Sequence, residues 1–386
     1  MYLSPHSLHA PIVVSHKHKA EIKAKLASVA KERALRAESL AAVTAPTAPS
    51  FEIPLTTVSM NGGFDAYMVI SFEGQAAGAS TQVLVDSGNS MLIVPSWEDI
   101  AALPDSSQNY TVLASNVSEP WGSPANVVRG PVQIPTASGE IYTLDDCVFY
   151  ACTGAPRTAN FGAGCISPWS ASGWDVPPGA GVTMQSPLSY NSSYPYAEFN
   201  YAPAATMFAA DASLTVSTGS SLVMYQAQPG GYSMFGIIPN LEWMSLIPMS
   251  LAIGGAQTQW PGDVASPIAM VDTGGGPVFL SDPNGYVYSG SWPGGVTCPT
   301  WTSGSDSCQC ISDDITIELG DATSSTSYTI DTSTLPPSVQ GLTLVMCKVN
   351  EYMRGRQGMN IGGISALFNY ILVDYAGARV GLKPKP

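Results

Sequence analysis

One short pattern occurs twice in the chain and constrains its fold more than any other feature. Residues 83–96 read VLVDSGNSMLIVPS, and residues 268–281 read IAMVDTGGGPVFLS. In each stretch an apolar run leads into Asp, then Ser or Thr, then Gly, and a second apolar run follows. An unpaired ionised carboxylate is costly to bury. We therefore interpret Asp86 and Asp272 as a pair, with each aspartate donated by one of two related lobes.

The length and texture of the chain agree with two lobes built from short strands. A chain of 386 residues is too long for one compact core. Gly (37) and Pro (31) are frequent, and from Phe51 onward short β-rich runs are bounded by turn residues. We predict an all-β fold with an N-terminal lobe at residues 51–235 and a C-terminal lobe at residues 236–386.

The charged residues are unevenly distributed along the chain. Seven of the 15 Lys and Arg residues lie between Lys17 and Arg36, whereas residues 51–386 hold 8 basic and 26 acidic residues, a formal net charge of -18. So acidic a body argues against nucleic-acid binding. All four histidines also precede residue 51. The body therefore lacks the imidazole that a Ser-His-Asp or Cys-His nucleophile system, or a His-ligated metal site, requires.

Residues 1–50 form a basic N-terminal segment that we predict to be helical over residues 15–42. Ile22, Leu26 and Val29 recur at helical spacing, and the run VTAPTAPS ends the helix as a linker. Three interpretations stay open. The segment is a solvated surface helix, a basic element that docks on the acidic body, or a transit peptide, which its three glutamates disfavour.

A pair of aspartates can carry out hydrolysis without histidine, metal or covalent nucleophile. Two carboxylates about a hydrogen bond apart do not both ionise easily, so they share one proton. One carboxylate acts as general base on a water molecule, and the other acts as general acid toward the carbonyl group that is attacked. A glycosidase also uses two carboxylates, but the duplicated turn disfavours that alternative. We therefore predict neither a cofactor nor a metal site.

Both motifs resemble the catalytic triplets of the pepsin-like aspartic proteases. The likeness covers most of residues 51–386, and it implies a bilobal double β-barrel with a central cleft and few short helices. It also implies that the two aspartates are catalytic, that Ser87 and Thr273 cross-brace the two turns, and that the glycines let the backbone bend. The matching residues are Asp86, Ser87, Gly88, Asp272, Thr273 and Gly274.

Further stretches of the chain are similar to the same family. The run NIGGISALFNYILVDYAGARVGLKP is similar to the family's end segment, in which a hydrophobic–Gly step, here Ile361-Gly362, packs behind the active turn. FGAGCISP is similar to the matching element of the first lobe, with Gly164 in the role of Gly362. LEWMSLIPMS is similar to the strand that begins the second lobe.

Two positions beside the aspartates depart from the family pattern. In the family a Ser or Thr follows each triplet and donates a hydrogen bond to the outer oxygen of its aspartate. Here these positions are Asn89 and Gly275. Asn89 can still donate through its amide. Gly275 has no side chain, so we expect Asp272 to lack one partner of its ionised form unless another group supplies it.

The resemblance also predicts a flap, the hairpin that covers the cleft. In EPWGSPANVVRGPV, Trp121 stands where the family usually has Tyr, Gly122 and Ser123 match the next two positions, and Pro124 replaces the usual Gly. The indole N–H of Trp121 can donate a hydrogen bond, and its ring can cap a hydrophobic subsite. The alternative is an ordinary core Trp.

The seven cysteines fit the family in part. The resemblance implies a disulfide between Cys310 and Cys347, and Cys298 and Cys308 are close enough in sequence for a local bridge. An odd cysteine is left over among the other three, and buried thiols of a reduced protein are the alternative for all of them. The three are Cys147, Cys152 and Cys165.

Several features are compatible with a secreted glycoprotein. No apolar run reaches the roughly 18 residues that span a membrane, and residues 1–14 do not form a convincing signal peptide. We expect a monomer that is secreted or resides in a vacuolar or lysosomal type of compartment. Three Asn-X-Ser/Thr tripeptides are candidate glycosylation sites, and they begin at Asn109, Asn116 and Asn191.

The leading functional prediction is an acid endopeptidase made as a zymogen. It would bind an extended peptide or protein substrate and activate water with Asp86 and Asp272. The basic N-terminal segment resembles the pro-segment of such zymogens, in which a Lys between the aspartates would favour their ionised forms. The alternative is a pepsin-fold protein with a silent dyad that serves as a binder, an inhibitor or a specialised processing factor, and Asn89 and Gly275 favour it.

Overall fold

The fold is mostly β, with few short helices, which confirms the all-β prediction. The described residues belong to one compact unit, Thr47–Pro386, so the predictions for the basic N-terminal segment lie outside them. Within the described part of the chain, no helix is both long and apolar enough to cross a membrane. The computed structural model describes residues 50–60, 63–76, 79–120, 122–154, 159–165, 180–190, 193–209, 214–238, 244–253, 256–259, 268–274, 278–281, 296–303, 306–311, 315–320, 325–336, 344–347 and 358–385.

Short strands make up most of the structure. The first eleven are β1 Ser50–Met60, β2 Gly63–Phe72, β3 Thr81–Asp86, β4 Leu92–Val94, β5 Thr111–Ser118, β6 Pro124–Pro135, β7 Ile141–Cys152, β8 Asn160–Gly162, β9 Tyr196–Asn200, β10 Thr215–Tyr225 and β11 Ser233–Gly236. The others are β12 Ser245–Ile253, β13 Ala256–Gln259, β14 Ile268–Met270, β15 Val278–Ser281, β16 Val296–Ser303, β17 Asp306–Ile311, β18 Ile315–Gly320, β19 Ser325–Ile330, β20 Leu344–Cys347, β21 Gly358–Asn360, β22 Asn369–Asp374 and β23 Arg379–Pro384.

The helices of the described residues are all short. They are α1 Trp97–Ala101, α2 Ser106–Asn109, α3 Ala204–Met207 and α4 Gly362–Phe368, with 3-10 turns at Pro187–Tyr190 and Thr332–Thr334. Ser96 caps α1, because its side chain accepts a hydrogen bond from the Asp99 backbone N–H at 3.1 Å. The helices lie at the ends of strands, and the sheets form the scaffold.

Two sheets contain the described strands. The first has the order β11-β23-β22-β9-β10-β1-β2-β3-β8-β4-β7-β6-β5. The second has the order β16-β17-β20-β15-β21-β14-β12-β18-β19, and β13 pairs with β12 outside this path. The first sheet therefore includes strands from both predicted lobes, because the C-terminal hairpin of β22 and β23 joins it beside β9 and β11.

Part of the first sheet closes into a six-stranded barrel. An additional pairing of β2 with β6 closes the path β2-β3-β8-β4-β7-β6. Side chains alternate between the two faces of a strand, and every second residue of β2 is buried in the core. These inward residues are Phe64, Ala66, Met68, Ile70 and Phe72.

One four-strand arrangement occurs in both sheets. In the first, β3 is parallel to β8, β8 is antiparallel to β4, and β4 is parallel to β7. In the second, β14, β21, β15 and β20 repeat the same order and the same three directions. The first strand of each set leads into one of the repeated aspartate motifs. The internal repeat of the sequence is therefore also a repeat of the fold.

A buried tyrosine links β6 to the residue that follows β2, close to the pairing of these strands that closes the barrel. Tyr110 is 4% exposed, donates a hydrogen bond to the Pro131 carbonyl at 3.1 Å, and accepts one from the Glu73 N–H at 2.8 Å. Burial raises the pKa of Tyr110 to about 12. Gly130 leaves room for the ring, because a Cβ there would lie 2.3 Å from Tyr110 Cδ1.

We expect Tyr110→Phe to lower the free energy of unfolding by about 1–3 kcal/mol, because the Glu73 N–H loses its buried acceptor. Denaturant unfolding of the full chain measures this. The control is Tyr194→Phe, in which a partly exposed ring packs 4.8 Å from Phe51 between centroids. Equal losses in the two variants would contradict the role given to the Tyr110 hydroxyl.

Candidate active site

The structure places both repeated aspartates where a buried strand ends. Asp86 is the last residue of β3, and Asp272 lies two residues beyond β14. The residues before each aspartate are apolar, and Val85 and Val271 are fully buried. Both aspartate side chains are half-buried. The buried valine before each aspartate thus fixes the backbone, and each carboxyl group emerges at the next, half-buried position.

Two buried hydroxyl groups link the aspartate turns across 186 positions of sequence. The Ser87 N–H donates to Thr273 Oγ1 at 3.1 Å, and the Thr273 N–H donates to Ser87 Oγ at 2.9 Å. Ser87 Oγ in turn donates to the Val271 carbonyl at 2.9 Å. Ser87 and Thr273 are both fully buried. The cross-brace between these residues, expected from the resemblance, is therefore present.

Each turn packs against the carboxyl group of the opposite turn. A Cβ at Gly88 would lie 2.6 Å from Asp272 Cγ, and a Cβ at Gly274 would lie 2.7 Å from Asp86 Cγ. Only glycine permits this approach, so the two glycines bring the carboxyl groups together. Their N–H groups also donate locally, Gly88 to Asp86 Oδ1 at 2.7 Å and Gly274 to Asp272 Oδ1 at 3.0 Å.

Two buried asparagines donate to the other oxygen of each carboxyl group. Asn160 Nδ2 donates to Asp86 Oδ2 at 2.9 Å, and Asn360 Nδ2 donates to Asp272 Oδ2 at 2.7 Å. The sequence analysis missed both residues. Asn360, on β21, is the other group that the sequence analysis left open as a side-chain partner for Asp272. Gly275 itself lies outside the described residues.

Asn89 has a different role from the one predicted. Its amide does not donate to Asp86 but to Asn160 Oδ1 at 2.9 Å and to the Met91 carbonyl at 3.2 Å. Its Oδ1 accepts from the N–H groups of Ser90 at 2.7 Å and Met91 at 3.1 Å. The side chain is too closely tied to its own turn to reach the carboxylate, and it acts through Asn160.

The strand register also corrects the predicted match between glycines. β8 pairs Asp86 with Gly162, two residues after Asn160, and Gly362 likewise follows Asn360 by two residues. Gly162 is therefore the equivalent of Gly362, and the prediction that gave this place to Gly164 is wrong. Gly164 still packs behind the Asp86 turn, where its N–H donates to the Asn89 carbonyl at 2.8 Å.

The electrostatics of the site favour a shared proton. Burial raises the pKa of Asp272 well above its usual value, and the charge of Asp86 and a hydrogen bond with it add to the effect. The donors Asn360 and Gly274 oppose it. A third carboxyl group stands near, since burial raises the pKa of Asp65 and the charge of Asp86 contributes, although the Tyr67 hydroxyl donates to Asp65 at 3.3 Å.

Two of the predicted flap residues, Gly122 and Ser123, lie at the tip of a hairpin. β5 and β6 pair as far as Ser118 and Pro124, and the Glu119 carbonyl and side chain accept from the N–H groups of Gly122 at 2.9 Å and Ser123 at 2.7 Å. Gly122 has φ +96, which suits a glycine. Trp121 lies outside the described residues, so its role stays a prediction.

The cysteine predictions are only partly open to comparison. Cys147 and Cys152 are buried free thiols, which agrees with the alternative given for these residues, and burial raises the pKa of Cys152 to about 11. Cys165 is also buried. The side chains of the other four cysteines lie outside what the structure describes, so both predicted disulfides stay predictions. These cysteines are Cys298 and Cys308 on β16 and β17, and Cys310 and Cys347 on β17 and β20.

In the described part of the chain, no group of three or more His, Cys, Asp or Glu side chains is arranged to hold a metal ion. The described groups at the site are the two carboxyl groups and the four N–H groups that donate to them. A comparison of the sequence with family models and with curated proteins returned no match.

We expect Ser87→Ala and Thr273→Val each to lower the free energy of unfolding by about 1–3 kcal/mol, because each leaves a buried N–H without its acceptor. The double variant should lose less than the sum, because the two hydrogen bonds join the same pair of turns and the loss of one weakens the other. Denaturant unfolding measures the cycle, and Thr273→Ser, which keeps the hydroxyl, is the matched control. Strict additivity would contradict the brace.

The raised pKa of Asp272 makes the free energy of unfolding depend on pH. A raised folded-state pKa stabilises the fold fully below the unfolded value of about 3.9 for Asp, and this contribution is lost as the pH rises through the folded pKa. Asn does not ionise, so the stability of Asp272→Asn relative to the parent chain should increase as the pH rises above about 4. Urea unfolding at several pH values measures the gain, with exposed Asp105→Asn as control. A difference that does not change with pH would contradict the raised pKa.

Proposed function

We propose that the chain is a pepsin-like aspartic endopeptidase that hydrolyses peptide bonds with the Asp86–Asp272 pair. The observation that carries the proposal is the reciprocal packing of the two turns. Each aspartate meets the glycine of the opposite motif, and Ser87 and Thr273 exchange hydrogen bonds beneath them. Such a pair has the groups that acid–base hydrolysis of an amide requires.

The proposed chemistry divides two proton transfers between the carboxyl groups. The raised pKa of Asp272 supports it as the carrier of the shared proton. Asp86 removes a proton from water, the hydroxide oxygen bonds to the peptide carbonyl carbon, and Asp272 gives its proton to the carbonyl oxygen. In the breakdown step the proton held by Asp86 passes to the leaving nitrogen, the C–N bond breaks, and the gem-diol returns a proton to Asp272.

The repeat of the fold supports the finer architecture that we propose, a bilobal double β-barrel with a substrate cleft. The same four-strand arrangement occurs once in each sheet, and each copy includes the strand that leads into one aspartate turn. One closed barrel lies in the first half of the unit. The hairpin of β5 and β6 would be the flap, and Trp121 lies between these strands in the sequence.

The basic N-terminal segment completes the proposal as a pro-segment. Seven cations between Lys17 and Arg36 would be attracted to a body of formal net charge -18. The cations would lose their ionised partners in acid, so a protein restrained in this way would act in an acidic compartment or in an acidic medium after secretion.

The alternative is a silent dyad in a binding or inhibitory protein. Its support is that Asn89 and Gly275 replace the hydroxyl residues beside the two aspartates. Asn160 donates to Asp86 at 2.9 Å and Asn360 donates to Asp272 at 2.7 Å. Both aspartates therefore have a side-chain donor, which favours the protease.

Incubation of the purified full chain with an unfolded protein at acid pH tests the proposal. We expect peptide hydrolysis, its inhibition by a statine-type transition-state mimic, and its abolition in Asp86→Asn and in Asp272→Asn, because neither carboxyl group can perform both proton transfers. Exposed Asp105→Asn should retain activity. Hydrolysis at an unchanged rate by the doubly substituted chain would refute the catalytic assignment.

A further inference from the structure

Two buried asparagines occupy equivalent places in the two halves. Asn160 pairs with Leu84 in the β3–β8 ladder, and Asn360 pairs with Met270 in the β14–β21 ladder. In both cases the paired residue stands two positions before the aspartate. Each asparagine is 2% exposed. The fold therefore delivers one side-chain amide to each carboxyl group by the same route.

The orientation of the Asn160 amide follows from its neighbours. Asn89 Oδ1 accepts from the backbone N–H groups of Ser90 and Met91, so its Nδ2 must point away from them and toward Asn160. It donates to Asn160 Oδ1 at 2.9 Å. Because an oxygen of Asn160 is fixed on that side, its nitrogen must face Asp86. The hydrogen bond from Asn89 thus orients the Asn160 amide so that its NH₂ group donates to Asp86 Oδ2.

An amide nitrogen constrains a carboxyl group more than a hydroxyl does. A hydroxyl can rotate and either donate or accept, whereas an amide NH₂ only donates. Asp86 Oδ2 and Asp272 Oδ2 must therefore act as acceptors. Each Oδ1 lies on the other side, toward the opposite turn, because a Cβ at Gly274 would be 2.8 Å from Asp86 Oδ1 and a Cβ at Gly88 2.7 Å from Asp272 Oδ1.

We infer that Asn160 and Asn360 are positioning residues that hold the outer oxygens Oδ2 as acceptors and confine the shared proton of the pair to the inner oxygens Oδ1. The inference deepens the proposed function and rests on it for the meaning of the pair in catalysis. A proton between the inner oxygens lies where the attacking water and the substrate carbonyl would meet both carboxyl groups. The amides thus select one of several protonation patterns.

The two asparagine amides should lower the apparent pKa values of the Asp86–Asp272 pair. A hydrogen bond donated to a carboxylate favours its ionised form and lowers its pKa. Removal of either amide should therefore raise the two apparent pKa values of the pair. Both limbs of a pH–rate profile should move to higher pH together, and a merely structural role would move neither.

The experiment compares Asn160→Leu and Asn360→Leu with the parent full chain. We expect the profile of kcat/KM against pH to move upward by about one to two pH units in each variant. Asn369→Leu is the matched control, because Asn369 is also buried (1% exposed). The substitution likewise removes a hydrogen bond that a side-chain amide donates, here to the Ser365 carbonyl at 3.2 Å. Its profile should stay in place. If the Leu variants do not fold, Asn160→Ser and Asn360→Ser, whose shorter side chains cannot span the distance, should show the same shift.

A second readout does not depend on activity. Carbon-13 NMR of aspartate Cγ atoms in the full chain follows the titration of the Asp272 carboxyl group in the parent and in Asn360→Leu. A higher titration pH in the variant supports the inference, even if the protein hydrolyses no peptide and the proposed function fails. Hydrolysis by the parent together with an unshifted titration and an unshifted rate profile in the folded variants would overturn the inference and leave the proposed function standing.

Discussion

Two buried hydroxyl groups, on Ser87 and Thr273, join the aspartate turns by hydrogen bonds that run in both directions. Each accepts the backbone N–H of the other residue, so neither turn is complete without its counterpart. β14, which leads into the Asp272 turn, is buried at every residue, and β3, which leads into the Asp86 turn, is buried at alternate residues. The position of the carboxyl groups is therefore fixed by contacts that link the two sheets, and the site depends on both halves of the chain.

The same contacts create an electrostatic cost that the site must offset. Two half-buried carboxyl groups face each other, and burial disfavours the ionised form of Asp272. Four N–H donors oppose this effect: the backbone groups of Gly88 and Gly274 at the inner oxygens, and the amides of Asn160 and Asn360 at the outer oxygens. Hydrogen bonds to charged groups are stronger than neutral ones. The balance leaves a pair that can hold one proton and still ionise.

Sequence reasoning found the parts of the site that are local in the chain. The repeated pattern identified Asp86 and Asp272 as a pair, and the resemblance to the pepsin-like aspartic proteases implied the roles of Ser87 and Thr273. Asn160 could not, because its partner stands 74 positions away and only the β3–β8 register brings them together. The sequence did contain a signal, because an Asn-hydrophobic-Gly tripeptide occurs once in each half, as Asn-Phe-Gly at residues 160–162 and as Asn-Ile-Gly at residues 360–362. The pairing of the C-terminal hairpin with the first sheet likewise depends on contacts that no local pattern encodes.

The most direct test of the central claim, that two distant motifs build one proton-sharing carboxyl pair, is the pH dependence of kcat/KM for peptide hydrolysis by the full chain. We expect a bell-shaped profile with its maximum in the acid range, because the pair is active only while it holds a single proton. A rate that is independent of pH, or that rises steadily through neutral pH, would show that the two carboxyl groups do not share a catalytic proton.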